Sequence, residues 1–499
     1  MFKKILVANR GEIAVRVLRA CREMGISSVT VYSDADRVAL HTRYADEVHY
    51  LGPAPATESY LNIEKIVDIA KKTHAEAIHP GYGFLAENTE FAKACETNGI
   101  VFIGPTSQAI ELLGDKIASK KTMSKAGIPV IPGSDGAITQ EKEVLTVAEE
   151  IGFPVLIKAA GGGGGKGMRV VRAQKDLVAS MKQAIGEARS AFGNPTIFVE
   201  KFLDAPRHIE FQILADNHGN VVHLFERECS IQRRHQKLIE ESPSAIMTEE
   251  LRQEMGAAAV KAVQASNYTN AGTVEFMVDS NRHFYFLEMN TRLQVEHPVT
   301  ELITGIDIVK EQFHIAADEK LRLKQDGIVM RGSAIECRIS AEDPENNFAP
   351  STGRILELIE PGGPGVRFDS GIYEGFEVPI YYDPLIAKLL VWSPTRKEAI
   401  VRMTRALSET VIRGIKTSIP FHTLVMNNSN FIAGEYDTTF IDRLLGKVTY
   451  AKQNYEIAAI AAAIGKIVQE QRTSVRTVQR RSATNHWKMF GRQMMMKRM

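Results

Sequence analysis

The chain is poor in cysteine. It has only Cys21, Cys95, Cys229 and Cys337, and no two of them form a C-x-x-C pair. That pattern argues against a zinc site or a disulfide framework and suits a reducing cytoplasm. No apolar run approaches the roughly 20 residues of a membrane span. The opening stretch, Met1 to Arg10, has basic residues and then a short apolar run broken by Asn9-Arg10. It predicts a first β-strand rather than a signal peptide. From Arg472 onward there are eight Lys/Arg and no Asp or Glu, although the whole chain carries +1. The preceding body is therefore mildly acidic, which excludes a general nucleic-acid surface and leaves the basic tail as a separate feature.

At 499 residues the chain exceeds a single core, and two to four domains are expected. Residues 1–114 alternate strand and helix patterns. Lys4-Ile-Leu-Val-Ala8 reads as a buried strand, and Ile13, Val17, Cys21 and Met24 recur at helical spacing. Further strands are expected at 29–32, 77–79 and 100–103, with helices at 63–72 and 88–98. This βαβ series implies a parallel sheet. A helix at 107–126 leads into a mixed unit to about 330. Strands are expected there at 154–158, 196–200, 208–215, 220–226, 272–278 and 283–290, and helices at 175–191 and 248–265. A third unit spans 331–446. Beyond it, 455–470 reads as an apolar helix.

Two patterns carry chemistry. In Phe286 to His297, the residues Glu288, Asn290, Arg292, Gln294 and Glu296 fall at every second position. A strand would project all five from one face, with Leu287, Met289, Leu293 and Val295 opposite. Carboxylates bracketing an arginine make oxygen ligands for a hard cation and a counter-charge for an anion. The alternative is a salt-bridged solvent face. The second pattern is Gly161 to Gly165, flanked by Lys158 and Lys166. It lies between two predicted strands and reads as a glycine-hinged hairpin flap over phosphates, or otherwise as a flexible surface loop. A P-loop is disfavoured, because Ala160 and Gly167 occupy two of its four defining positions. A dinucleotide fingerprint is disfavoured too, because Asn9 to Val15 offers one glycine where three are needed.

Several long motifs then occur in order. They are His79-Pro-Gly-Tyr-Gly-Phe-Leu-Ala-Glu-Asn88, Gly114-Asp-Lys116, the flap, Glu226 to Lys237, Glu288 to His297, Glu336-Cys-Arg-Ile339 and Glu342-Asp-Pro344. Together they resemble biotin carboxylase, the ATP-grasp subunit or domain of biotin-dependent carboxylases, from residue 1 to about 446. The resemblance implies an α/β and α+β protein in several parts. A Rossmann-like N-terminal domain (1–114) precedes an ATP-grasp domain (115–330) with a mobile glycine-rich lid (about 133–203). A mixed β C-terminal domain (331–446) and a helical, basic tail (447–499) follow.

The implied reaction uses MgATP and bicarbonate to form carboxyphosphate, and then carboxylates N1 of biotin on a separate carrier protein. By resemblance, ATP binding falls to Lys116, Lys158, Gly164, Gly165, Glu200, Lys201, Leu203, His208, Gln232 and His235. Glu275, Glu288 and Asn290 would hold Mg2+ or Mn2+. Lys237, Arg292, Gln294 and Val295 would hold bicarbonate, with Glu296 as base. Arg338 would stabilise the biotin enolate, and Tyr82 would wall the biotin pocket. His208 as a satisfied histidine, Tyr82 as packing and Arg338 as a core ion pair are the alternatives. His79 and His297 read as structural, and Arg16 and Arg19 as surface or subunit-contact residues.

Lys497 lies in Met496-Lys497-Arg498, with no carrier domain around it. The biotin carrier and the carboxyltransferase are therefore expected on other chains, with the tail as a docking segment and a homodimer as the family's assembly. The tail resembles that of two-subunit pyruvate carboxylases, with acetyl- or propionyl-CoA carboxylase as the competing parent. Rival functions are another ATP-grasp ligase acting on an amine and a non-catalytic nucleotide-binding scaffold. Neither a membrane nor a nucleic acid is expected as a partner.

Overall fold

Ile5, Leu6 and Val7 are wholly buried, and they make Lys4–Val7 the centre of a five-stranded sheet. The computed structural model describes residues 1–136, 138, 140–159, 168–192, 197–446 and, further on, 463, 464 and 466. Met1–Gly446 forms one unit and Lys447–Met499 another. Glycines 161–165, most of the expected 455–470 helix and Lys497 lie outside the described residues. In the first sheet the order is Glu47–Gly52, Ser27–Ser33, Lys4–Val7, Ala77–His79, Val101–Phe102, and every pairing is parallel, as the βαβ pattern predicts. The Glu47–Gly52 strand was not expected. It is a half-exposed edge with little apolar signal.

The helix Gly11–Glu23 buries Ile13, Val17 and Cys21. These join Leu214, Ala271, Leu293 and Phe313 in one core, which packs the first sheet against the second. Helix Ile63–Lys72 starts where Asn62 accepts from the Lys65 amide. The expected 107–126 helix is two helices, Ser107–Gly114 and Lys116–Lys125. Gly114 is a weak helix former, and the Asp115 side chain accepts from the Ile117 and Ala118 amides, so it caps a new helix. Lys116 thereby becomes the first residue of that helix.

The second sheet has eight strands, ordered Phe284–Asn290, Asn270–Val278, Arg207–Ala215, Val221–Arg233, Gln236–Ser242, Ser333–Ser340, Leu385–Ser393, Val366–Ser370. All its pairings are antiparallel. It continues across residue 330 because Ile239 to Ser242 pair with Cys337 to Ala334. The two faces differ. Ile209, Phe211 and Ile213 with Val274, Phe276 and Val278 fill a core beneath helix Glu249–Ala265. His208, Glu210 and Gln212 alternate with the first three and face the other way, as a period of two requires. A separate three-stranded sheet holds the expected hairpin: Val155–Ala159 pairs antiparallel with Met168–Val171 and with Ile197–Lys201.

Arg16 is buried within the chain rather than placed on its surface. Its guanidinium contacts Glu301 at 2.8 Å and Asp307 at 2.6 Å, while Arg367 reaches the other Glu301 oxygen at 2.7 Å. Burial would raise the Glu301 carboxyl, but Arg16, His297 and Arg367 outweigh it and hold it well below the ordinary range. The stability it supplies is therefore fully present above the ordinary glutamate value and is lost progressively as pH falls from there toward the depressed value of the folded state. Glu301→Gln is expected to lower unfolding free energy by about 3 kcal/mol at pH 7. The gap to wild type should narrow below roughly pH 4, read from denaturant melts across pH.

Candidate active site

A cavity of about 2600 Å³ opens above the polar face of the eight-stranded sheet. A row of charge crosses neighbouring strands from its floor into the buried sheet beneath. Glu288 stands opposite Glu275, Glu275 opposite Glu210, and Glu210 opposite Arg227. Arg227 is wholly buried and donates to Glu210, Gln212, Thr273 and Thr300. Lys237 stands over the row. Its Nζ is 2.5 Å from Glu210, 2.8 Å from Glu275 and 2.7 Å from Glu296. Burial disfavours the ammonium, but these carboxylates raise its pKa well above the ordinary value.

Glu275 and Glu288 have unlike environments. Burial would raise Glu275, yet Lys237 and His208 hold it well below the ordinary range. His208 Nε2 lies 2.6 Å from Glu275 Oε2, an ionic contact not aligned for a hydrogen bond. Burial opposes the charged imidazole, but Glu275 prevails and raises its pKa. Glu288 is raised by burial and then by the Glu275 charge. Asn290 Nδ2 donates to Glu275 at 2.8 Å. A buried and a half-buried carboxylate stand side by side and repel each other until a divalent cation joins them, and with the Asn290 amide oxygen they are hard donors, so this set fits Mg2+ or Mn2+.

The strand ends at Asn290, as the expected 283–290 span has it, so the alternation beyond that residue is not carried by a strand. The alternation therefore places only Glu288 and Asn290. A bulge between Glu275 and Phe276 shifts the register, so Phe286 faces the core while Leu287 lines the cavity. Residues 291–296 are irregular, and helix His297–Thr304 begins behind them with Pro298 in its first turn. The segment still returns its side chains to the cavity. Arg292 donates to Glu87 at 2.9 Å, to Asn290 at 3.0 Å and to Gln294 at 3.2 Å. Gln294 donates to Glu275 at 3.1 Å.

Glu296 is wholly buried and held from two sides, by Lys237 and by Arg338 at 3.0 Å. Burial would raise it, but Lys237, Arg338 and Arg227 keep it ionised far below the ordinary range. Arg338 also donates to Glu240 at 2.6 Å. Burial pushes the Glu240 carboxyl up to about 7 against the pull of Arg338, with Glu296 adding to the rise.

Lys116, Lys158, Glu200, Lys201 and Leu203 line the cavity, as do His208, Gln232 and His235. Lys158 and Lys120 both contact Glu200, at 2.5 Å and 3.2 Å. Lys201 donates to the carbonyls of Gly152 and Phe153. Gln232 and His235 are placed by a hairpin turn in which Arg234 and His235 have φ of 49° and 65°. Tyr82 and Val295 also line the cavity, and Thr438 and Thr439 close its far side. Gly164 and Gly165 lie outside the described residues. His79 and His297 are buried, and each is hydrogen-bonded within the fold.

Three family models match the chain: biotin carboxylase N-terminal domain over 1–110, the ATP-binding domain of the carbamoyl-phosphate synthase L chain over 115–324, and biotin carboxylase C-terminal domain over 336–443. The chain belongs to the biotin carboxylase family. It is 55% identical to a pyruvate carboxylase subunit of Methanothermobacter thermautotrophicus, over 95% of this chain and 100% of that one. It is 56% identical to a biotin carboxylase of Nostoc, over 89% of this chain and 99% of that one. The crystal structure of the biotin carboxylase domain dimer of Hydrogenobacter thermophilus 2-oxoglutarate carboxylase, with MgADP, ADP and bicarbonate, superposes with a TM-score of 0.84. It shares 50% identity and covers 91% of this chain and 100% of that one.

Sequence reasoning about this biotin carboxylase missed Glu210, Arg227, Glu240, Glu87 and Lys120. The signal for the first was present: His208, Glu210 and Gln212 alternate with Ile209, Phe211 and Ile213. Lys237→Met would leave three buried carboxylates without their shared cation. The expected loss is about 3–5 kcal/mol of unfolding free energy, read by urea melts at pH 7. Wild-type stability in this variant would remove Lys237 as the organiser of the floor.

Proposed function

We propose that this chain carboxylates biotin on a separate carrier protein, using MgATP and bicarbonate, as the biotin carboxylase subunit of a pyruvate carboxylase. The enzyme class, an ATP-dependent ligase, follows from family membership. The observation that carries the chemistry is the convergence of Lys237, Arg292 and Arg338 with Glu296 beside the Glu275–Glu288 pair. Lys116 and Lys158 would neutralise phosphates, with the backbone of Gly164 and Gly165 donating from the flap. Glu200, Lys201 and Leu203 would take the adenine, and His208, Gln232 and His235 would line the nucleotide. Glu275, Glu288 and Asn290 would hold Mg2+ or Mn2+, which supplies charge neutralisation on the triphosphate.

Arg292 presents a planar fork to bicarbonate, with Lys237, Gln294 and the Val295 backbone around it. A bicarbonate oxygen attacks the γ-phosphorus and ADP leaves, giving carboxyphosphate. Glu296 accepts the bicarbonate proton. As found, its carboxylate is ionised but weakly basic. An entering anion draws Lys237 and Arg338 toward itself and loosens their hold, so basicity rises when substrate arrives. Carboxyphosphate then splits to CO2 and phosphate. The phosphate takes the N1 proton of biotin, and N1 bonds to CO2. Arg338 stabilises the negative ureido oxygen that exists only during the transfer, with Tyr82 as the pocket wall.

Pyruvate is favoured as final acceptor because the match to the archaeal pyruvate carboxylase subunit covers 95% of this chain, against 89% for the Nostoc enzyme. The longer match includes part of the tail beyond residue 446. A 2-oxo acid is also the substrate named for the Hydrogenobacter relative, whose domain crystallised as a dimer. A carrier and a carboxyltransferase chain complete the assembly, with the tail as docking segment and a homodimer of the present chain at its centre. Family matches over 1–110, 115–324 and 336–443 support dividing the sequence at 114, 330 and 446, although one sheet spans residue 330. Among the described residues no helix is long and apolar enough to cross a membrane, and the four cysteines are free and buried, which supports a cytoplasmic setting.

Purified protein is expected to hydrolyse ATP only with bicarbonate, and faster with free biotin. Arg338→Ala should lower biotin carboxylation by about 100-fold. Stimulation by an amine in place of bicarbonate would favour the rival ligase. Co-purification from the native source should retrieve a biotinylated partner and pyruvate-dependent turnover. Turnover with acetyl-CoA or propionyl-CoA instead would reassign the parent enzyme.

A further inference from the structure

Lys388 has no solvent exposure, and none of the roles above uses it. Its Nζ donates to the Val295 carbonyl at 2.9 Å and lies 3.0 Å from Glu12 Oε1. The same Glu12 oxygen accepts from the Tyr82 hydroxyl, and Nζ sits 5.9 Å from the centre of the Tyr82 ring. In the antiparallel pairing Lys388 stands directly opposite Arg338. Two neighbouring cations therefore hold two consecutive residues of one irregular segment: Arg338 takes the Glu296 carboxylate, and Lys388 takes the peptide oxygen just before it.

A buried ion pair is a poor way to gain stability, since desolvation offsets most of the attraction. Its geometry here does something a packed leucine could not. Fixing the Val295 carbonyl fixes the plane of the Val295–Glu296 peptide, and so the direction in which the Glu296 side chain leaves the backbone. Fixing Glu12 fixes the Tyr82 hydroxyl. One ammonium thus ties three sequence-distant parts together: the strand Leu385–Ser393, the segment before helix His297–Thr304, and the start of helix Gly11–Glu23 with the turn at Tyr82.

We propose that Lys388 is a positioning residue that sets the hydrogencarbonate and biotin pockets against each other. The proposal rests on the carboxylase reading. Its test uses the full chain and follows steady-state ATP hydrolysis with hydrogencarbonate and free biotin. Wild-type protein that shows no hydrogencarbonate-dependent hydrolysis would sink the carboxylase reading itself, before any variant is compared. With wild-type activity in hand, Lys388→Met should raise KM for hydrogencarbonate and for biotin by about tenfold or more, with KM for MgATP within about twofold. Lys388→Arg, which keeps a donor, should recover part of both. If Lys388→Met does not fold, the pair Glu12→Gln with Lys388→Met removes both charges of the 3.0 Å contact and carries the same expectation. An unchanged hydrogencarbonate KM in a folded variant would overturn the proposal. So would a proportional loss across all three substrates, or a double variant that still does not fold, because each leaves Lys388 a purely structural role.

Discussion

One ammonium lets three carboxylates gather at and beneath the floor of a cavity. Lys237 contacts Glu210, Glu275 and Glu296 together, and each of those glutamates is buried. Without a shared cation, three buried acids would take up protons or open the sheet to water. With it Glu275 and Glu296 stay ionised, and each of the three has a direction. Glu210 leans on Arg227, Glu275 on His208, and Glu296 on Arg338. The whole site is an arrangement of charges that neutralise one another. Incoming anions and a divalent cation need only redistribute partners already in place, so little reorganisation opposes binding.

Much of the fold was legible because long elements announce themselves by period. The parallel first sheet, the helix Ile63–Lys72 and the hairpin around the glycine run all follow from spacing and caps. Misses came where a local signal competed with a pattern. Asp115 looked like one polar residue in a long helix, but its carboxylate is a better cap than a helix interior allows. The alternation from Glu288 to Glu296 looked like a single strand, but only its first two members lie on one. A period of two over mixed polar residues records shared chemistry as readily as shared backbone. Arg292 and Gln294 reach the cavity by way of an irregular turn, and Glu296 lies buried behind its wall against Lys237 and Arg338.

The groups left unnoticed are those whose importance depends on their neighbours. Arg227 sits in a charged run, Glu226-Arg-Glu228, with no apolar neighbour to mark its side chain as internal, yet it is wholly buried. Lys388 is one lysine in an apolar strand, and nothing local marks what it touches 93 residues earlier. Sequence periodicity reports which side of an element is wet or dry. It does not report which distant carbonyl waits opposite a buried cation.

The eight-stranded sheet passes without a break through residue 330, because Gln236–Ser242 pairs with Ser333–Ser340. This seam is a main-chain ladder, so opening it would break strand pairing. Severing the polypeptide at that point would give two fragments, each with a raw strand edge and a half-covered apolar face, which is the recipe for aggregation rather than for autonomous folding. The three-stranded sheet formed by Val155–Ala159, Met168–Val171 and Ile197–Lys201 is laddered separately. Its strands pair with one another and with none of the eight strands of the larger sheet, so a shift of this sheet would break no rung of that ladder.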